Sequence, residues 1–353
     1  LHMWAKEDNL YAYSRLMARN VFEDIRMCNG SHNELAKVVH KIMGRWFVCA
    51  TANGKIWYVF NGARWVEDQE AIMTRRELSR SVRDCFLQAV TRLSNIAQES
   101  DSVDDASSMV SSSSMYSMDS RAVHKKILDM AYMLQNNGFK ETLIKEMREY
   151  FYDPTFLDKL DSKENLIGFD NGVYDLNTKM FREAVPDDYI TLSTGYKWQD
   201  VDDPIRGAII ERYWSTLHSN PEQRDYMIRM FARQLYGDSG MELLHVHAGF
   251  LASASNGKTR FFEVMESCFG QYVRKFGVET LTAKQRPEPG KPMPEIDKWR
   301  GVRILYCTEP NSDEKINSGV MKDLTGGEMI MYRLLHENRI RSFRPQFKIH
   351  LMC

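Results

Sequence analysis

Residues 243–268 read LLHVHAGFLASASNGKTRFFEVMESC, and this stretch decides how the C-terminal half is built. Leu243–His247 is a short, mainly apolar run of buried-strand length. Arg260–Cys268 reads as a helix ending at Gly270. Between them, Gly249 to Thr259 closes on Asn256-Gly257-Lys258-Thr259. Strand, GK[ST] loop and helix in that order are the context a phosphate-binding loop requires.

The chemistry of such a loop assigns roles. Backbone N–H groups of the loop and first helical turn, from Ala254, Ser255, Asn256, Gly257, Lys258, Thr259 and Arg260, face the β-phosphate of ATP, aided by the helix dipole. Lys258 bridges the β- and γ-phosphates, and the Thr259 hydroxyl ligates Mg²⁺. Ala252 and Ala254 stand where glycine is usual, and each adds a Cβ that disfavours positive φ.

A phosphate loop needs a second strand ending in a carboxylate, to place Mg²⁺ and polarise water. Val302–Asn311 supplies one, with Glu309 at its end and Pro310 as its stop. Thr308 occupies the place where many such ATPases carry a first acid. Further on, Thr325-Gly326-Gly327-Glu328 reads as a tight turn. Ile330–Leu335 and Ile340–Phe343 read as two strands with His336-Glu337-Asn338-Arg339 at their tip. Residues 322–353 hold six Lys+Arg against three Asp+Glu, whereas the whole chain carries a net charge of -1. That local excess suits a phosphate backbone.

Around this kernel, residues 205–353 alternate helix and strand, which predicts a parallel sheet with helices on its faces. Pro287–Pro294 reads as a loop. Upstream, residues 4–204 read as an α+β domain. Ser31 is a helix N-cap with Glu34 reaching back as a capping box, and the helix stops at Gly44. Runs at 46–50, 56–60 and 63–66 read as strands, with Asn53-Gly54 and Asn61-Gly62 as turns. Their aromatics, Trp46, Trp57, Tyr58, Phe60 and Trp65, form either a packed core or a stacking platform for bases. Residues 98–120 contain ten serines and five acids with no Lys, Arg, Gly or Pro, and read as a disordered insert. Residues 121–152 show helical periodicity, and Val173-Tyr174 reads as a short strand.

Composition narrows the classes. With 43% hydrophobic and 27% charged residues, the 353-residue chain has the mix of a globular protein, which excludes whole-chain disorder. No cysteine pair has CxxC spacing, so reduced thiols in an intracellular compartment fit better than disulfides or a zinc site. No run approaches transmembrane length. Leu1-His2-Met3 reads as a cloning scar. Asp104-Asp105, Asp187-Asp188 and Asp202-Asp203 sit in turn or linker contexts, so no catalytic site of paired carboxylates is expected.

Taken together, Asn256–Thr259, Thr308-Glu309-Pro310-Asn311, Lys322-x-Leu-Thr-Gly-Gly-Glu-x-Ile-x-x-Arg333 and Phe343-Arg-Pro345-Gln-Phe347-Lys348 resemble the superfamily 3 helicases, in particular the poxvirus-type primase-helicases of large DNA viruses. Trp57-Tyr58-x-Phe60-Asn61-Gly62-x-x-Trp65, Asp170–Leu176 and Pro186–Thr191 resemble the helicase-associated domain of that family. The resemblance covers roughly residues 30–353. It implies an α/β chain whose C-terminal part, 205–353, is an AAA+ ATPase behind an α+β collar. It implies an ATP- and Mg²⁺-dependent helicase that forms a ring, a hexamer, on single-stranded DNA ahead of a forked duplex, with other replication proteins as partners. Lys258, Thr259 and Glu309 then act in cis. Lys322, Arg333, His336 and Arg339 fall at positions near DNA or the neighbouring subunit. A polar sensor and an arginine finger fall beyond Cys353, so the chain reads as part of a longer protein, working in the host cytoplasm or at a viral replication site. The alternatives are a duplex-melting initiator and a scaffold that binds nucleotide without turnover.

Overall fold

The computed structural model describes residues 21–103, 113–200, 203–238, 240, 242–248, 257–282, 293–308, 315–335 and 340–353. They fall into two compact units, one comprising the chain up to residue 157 apart from 62–65, the other comprising 62–65 and 158–353.

The first unit is mainly helical. Helix α1 (Phe22–Met27) is followed by α2 (His32–Met43), which runs from the Ser31 cap to Gly44 as its sequence requires. The Ser31 hydroxyl accepts from Glu34 N–H, but the reciprocal half of the box is built differently. Asn29 Oδ1 accepts the Ser31 N–H at 2.8 Å, and the Glu34 carboxylate pairs instead with Lys37, also at 2.8 Å. The Asx turn lies two residues away, so it meets that donor without stretching a longer side chain back. Strands β1 (Phe47–Cys49), β2 (Ile56–Phe60) and β3 (Trp65–Gln69) form a small sheet in that order.

Helix α3 (Ile72–Glu77) runs through a π-helical turn at Leu78–Val82 into α4 (Arg83–Val103). Helices α5 (Ser113–Met133) and α6 (Asn137–Phe151) follow, broken where Asn136 caps the second. Helix therefore occupies both ends of the serine-rich stretch, which composition had marked as disordered throughout. Once a helix is nucleated, each added residue contributes a backbone hydrogen bond at little further cost. Residues 104–112 lie outside the described residues. Leu35, Val39, Trp57, Phe86, Leu134 and Leu143 share one core. Trp57 and Phe60 are buried, and Trp57 donates its indole N–H to the Gly54 carbonyl, so these rings pack the interior and offer no base-stacking face.

In the second unit, β4 (Leu166–Phe169), β5 (Gly172–Asp175) and β6 (Met180–Arg182) make an antiparallel meander. Trp65 joins this unit by donating its backbone N–H to Ile190 and its indole N–H to Pro186. Helices α7 (Pro204–Leu217) and α8 (Pro221–Gln234) precede a four-stranded parallel sheet. Its strands are β7 (Leu244–His247), β8 (Val273–Lys275), β9 (Ile304–Thr308) and β12 (Lys348–Met352), in the spatial order β7-β12-β9-β8. Helix α9 (Lys258–Phe269) connects β7 to β8. Helix α10 (Ser318–Thr325) and the hairpin of β10 (Ile330–Arg333) and β11 (Ile340–Phe343) intervene between β9 and β12.

The packing boundary differs from the one expected at 204/205. The segment from Asp158 to 200 belongs with the parallel sheet. The reason is a buried guanidinium. Arg303, 1% exposed on the way into β9, donates to the carbonyls of Leu235, Gly301, Lys163, Glu164 and Leu166 and to Gln346 Oε1. Gln346 in turn donates to the Asp161 carbonyl. Backbone acceptors 139 residues distant in sequence are thereby tied to the sheet, a link no hydrophobic pattern announces. Asp203 still marks a start, but only as the N-cap of α7.

Candidate phosphate site and its surroundings

Gly257 is the hinge between loop and helix. It caps α9 with φ 73° and ψ 8°, a left-handed conformation glycine adopts without the strain a Cβ brings. Lys258 and Thr259 therefore open the helix, where the first N–H groups have no partners in the turn before them. Lys258 has no ion pair or hydrogen bond among the described residues. It reaches a cavity of about 370 Å³ that is also lined by His218, Gln223, His247 and Phe261. Arg260 is turned elsewhere: its guanidinium is 85% exposed and pairs with Glu263 at 2.7 Å. Ala252, Ala254, Ser255 and Asn256 lie outside the described residues.

The parallel register levels three strand ends. Met352 of β12 faces His247 of β7 on one side and Thr308 of β9 on the other. Two strand spacings put Thr308 about 9–10 Å from His247. Thr308 is exposed at its strand end. Glu309, the next residue, lies outside the described residues. Lys322 is exposed in the last turn of α10. Arg333 sits on β10 opposite Ile340, its Nε buried without a partner among the described residues. The structure thus puts Lys258 and Thr259 at one helix start, and Lys322 and Arg333 on separate elements between β9 and β12. His336 and Arg339 lie outside the described residues.

A polar chain missed in the sequence runs behind the cavity. His247 Nε2 lies 2.8 Å from His350 Nδ1, His350 Nε2 lies 2.8 Å from Gln234 Oε1, and the Gln234 amide nitrogen lies 3.1 Å from His245 Nε2. Gln234 and His350 are fully buried. The signal was present as His245-Val246-His247: residues two apart in a strand share a face. Burial holds His247 down to about 4, helped by His245, Lys258 and His218, and burial lowers His350 as well.

Both rings are therefore held neutral in the folded protein, whereas they protonate near 6.5 when unfolded. The unfolded chain binds more protons between those values, so stability is complete above about 6.5 and falls as pH drops towards about 4. The expected loss is up to about 1.4 kcal/mol per pH unit for each histidine held neutral. Urea denaturation at neutral and mildly acidic pH checks this. Replacing His247 with phenylalanine should flatten the dependence, and an unchanged slope would refute the assignment.

The paired acids are structural where they are described. Asp188 is 2% exposed and accepts two bonds from Arg182, both at 2.8 Å, and Asp203 caps α7. All six cysteines are free thiols. Among the described residues, no cluster of metal ligands occurs and no helix is long and apolar enough to cross a membrane.

A mixed α/β unit with a parallel sheet, and a glycine-capped helix opening on a lysine that has no ion pair or hydrogen bond among the described residues, define the class of this protein. The family described as D5 N terminal like matches residues 36–230. The chain belongs to that family, the poxvirus-type primase-helicases that its motifs resemble. It is 30% identical over 355 residues to a candidate helicase of Acanthamoeba polyphaga mimivirus, covering 100% of this chain and 35% of the relative. A candidate helicase of Frog virus 3 is 24% identical over 406 residues, with 92% of this chain and 41% of the relative covered. One from Invertebrate iridescent virus 6 is 27% identical over 325 residues, with 85% and 33% covered. The chain thus spans about a third to two fifths of the length of these relatives.

Proposed function

We propose that this chain is the nucleotide-driven part of a viral replicative helicase, with residues 205–353 forming an AAA+ ATPase. The observation that supports this most is Lys258: a cation without a partner among the described residues, at the start of a glycine-capped helix and beside a cavity also lined by His247, whose strand end is level with that of β9. Buried or half-buried lysines seek anions, and a triphosphate supplies them. ATP is held by residues 254–260, with Lys258 on its phosphates. The Thr259 hydroxyl has no partner among the described residues and is free to ligate Mg²⁺, with Glu309 as the second ligand and the base that polarises water. Arg260, engaged with Glu263, contributes through its backbone N–H alone.

Lys322, Arg333, His336 and Arg339 contact single-stranded DNA, and the chains assemble as a hexameric ring, with other replication proteins at an intracellular viral replication site. The relatives named as helicases support the DNA reading. The test is ATP hydrolysis with and without single-stranded DNA, followed by strand displacement on a forked duplex. Hydrolysis stimulated by DNA together with displacement is expected. Nucleotide binding without turnover would replace this reading with the scaffold, and turnover without displacement would replace it with the duplex-melting initiator.

A further inference from the structure

A second charged feature lies at the other end of α9. Twelve residues of helix put it about 18 Å from Lys258, at the N-terminal ends of the strands. It is a cleft of about 470 Å³ lined by Arg64, Ser193, Thr194, Gln271, Arg274 and Lys275, with Glu266 as its one acid. Its floor depends on Gly270, where an added Cβ would lie 2.3 Å from the Thr194 carbonyl oxygen. Only glycine allows the 193–195 backbone to lie this close to the helix end.

The charges in the cleft are not equivalent. Arg64 is paired with Asp170 at 3.0 Å, and Asp170 also accepts from Ser193. Glu266 is engaged by the Tyr306 hydroxyl. Among the described residues, Arg274 and Lys275 have no ion pair, and Arg274 Nε is buried with no hydrogen-bond partner. Neighbours on a strand project to opposite sides, so these two cations flank the edge strand β8. The remaining groups are hydroxyls and an amide. Val273 is the one large apolar side chain in the lining, and no aromatic ring is present on which a base could stack.

We propose that this cleft binds the phosphodiester backbone of single-stranded nucleic acid without reading its bases. A forked guanidinium beside hydroxyl and amide donors matches phosphate oxygens. An acidic peptide would bring side chains that need apolar contact the cleft does not offer. The inference rests on the nucleic-acid part of the proposed function but uses a different surface.

The test is fluorescence anisotropy of a labelled oligothymidylate at several salt concentrations. It compares wild type, Arg274→Gln with Lys275→Gln, and the charge-preserving Arg274→Lys with Lys275→Arg, after matching their melting temperatures. The neutral variant should lose about tenfold in affinity, and its slope of log affinity against log salt should flatten by roughly 1.4, or 0.7 per phosphate. The charge-preserving variant should retain both. Unchanged affinity and slope in the neutral variant would overturn the proposal. So would polyglutamate competing as well as unlabelled oligonucleotide at equal charge, which would make the cleft a general polyanion site. Loss of binding in Lys322→Ala with Arg333→Ala, but not in the cleft variant, would remove the cleft alone. A wild type that binds no oligonucleotide would remove the nucleic-acid reading as well.

Discussion

Lys258→Ala is expected to lower ATP turnover by on the order of 10²–10³ or more, the effect of removing a single preorganised electrostatic group from a transition state. Phosphoryl transfer leaves little covalent work for the protein, so positioning and charge carry the catalysis. Lys258 makes no ion pair or hydrogen bond among the described residues that would survive the substitution as a structural loss. Its replacement should therefore change folding stability by no more than about 0.5 kcal/mol. The two effects separate cleanly: phosphate-release kinetics should collapse while the urea midpoint stays in place. Turnover within a few-fold of wild type would show that Lys258 is a solvated surface lysine and that the cavity beside it is not a nucleotide site.

The largest stability effect is expected at Arg303. Substitution with methionine keeps the length of the side chain but leaves the carbonyls of Lys163, Leu166, Leu235 and Gly301 and Gln346 Oε1 without the guanidinium as donor, while Glu164 keeps only the Gly237 N–H. A buried acceptor left unpaired costs about 1–3 kcal/mol, and losses in one network are not additive, so a total of about 3–5 kcal/mol is reasonable. For a unit of this size that corresponds to a fall of roughly 10 °C in melting temperature. Limited proteolysis should show the 158–200 segment released first, because three of the lost bonds hold Lys163, Glu164 and Leu166. A shift below about 3 °C would mean that water replaces the guanidinium and that apolar packing alone holds the segment.

Much of the local architecture was legible because it follows from short-range chemistry. The Ser31 cap and Gly44 stop bound α2, the apolar run at 56–60 is β2, and Ile340–Phe343 is β11, each within the range its residues predict. Elements that depend on distant partners were less legible. The apolar residues from Ile209 to Leu217 read as a helix, and they lie in α7 (Pro204–Leu217), yet no residue of that helix is buried and Ile205, Ile209 and Ile210 are exposed. The phosphate motif was visible at Gly257-Lys258-Thr259, but the pairing of Arg260 with Glu263 was not, because any arginine in a helix has several acids within reach.

The amino-acid sequence by itself determined the family, the phosphate-loop candidate, the free cysteines and most of the order of helices and strands, though not the helix Pro221–Gln234 or the edge strand Val273–Lys275. Each of these rests on residue type and spacing within a few turns of chain. Tertiary structure alone decided that β12 lies between β7 and β9, bringing the end of the strand before the candidate phosphate loop level with the end of the strand that precedes Glu309 in sequence. It also decided that Arg303 ties 163–166 to the sheet, that three histidines and Gln234 share one polar chain with His350 and Gln234 buried, and that Arg274 and Lys275 flank an open cleft. The physical reason is common to all four. Burial and pairing of polar groups depend on what faces them across the fold, and those partners lie far away in the chain.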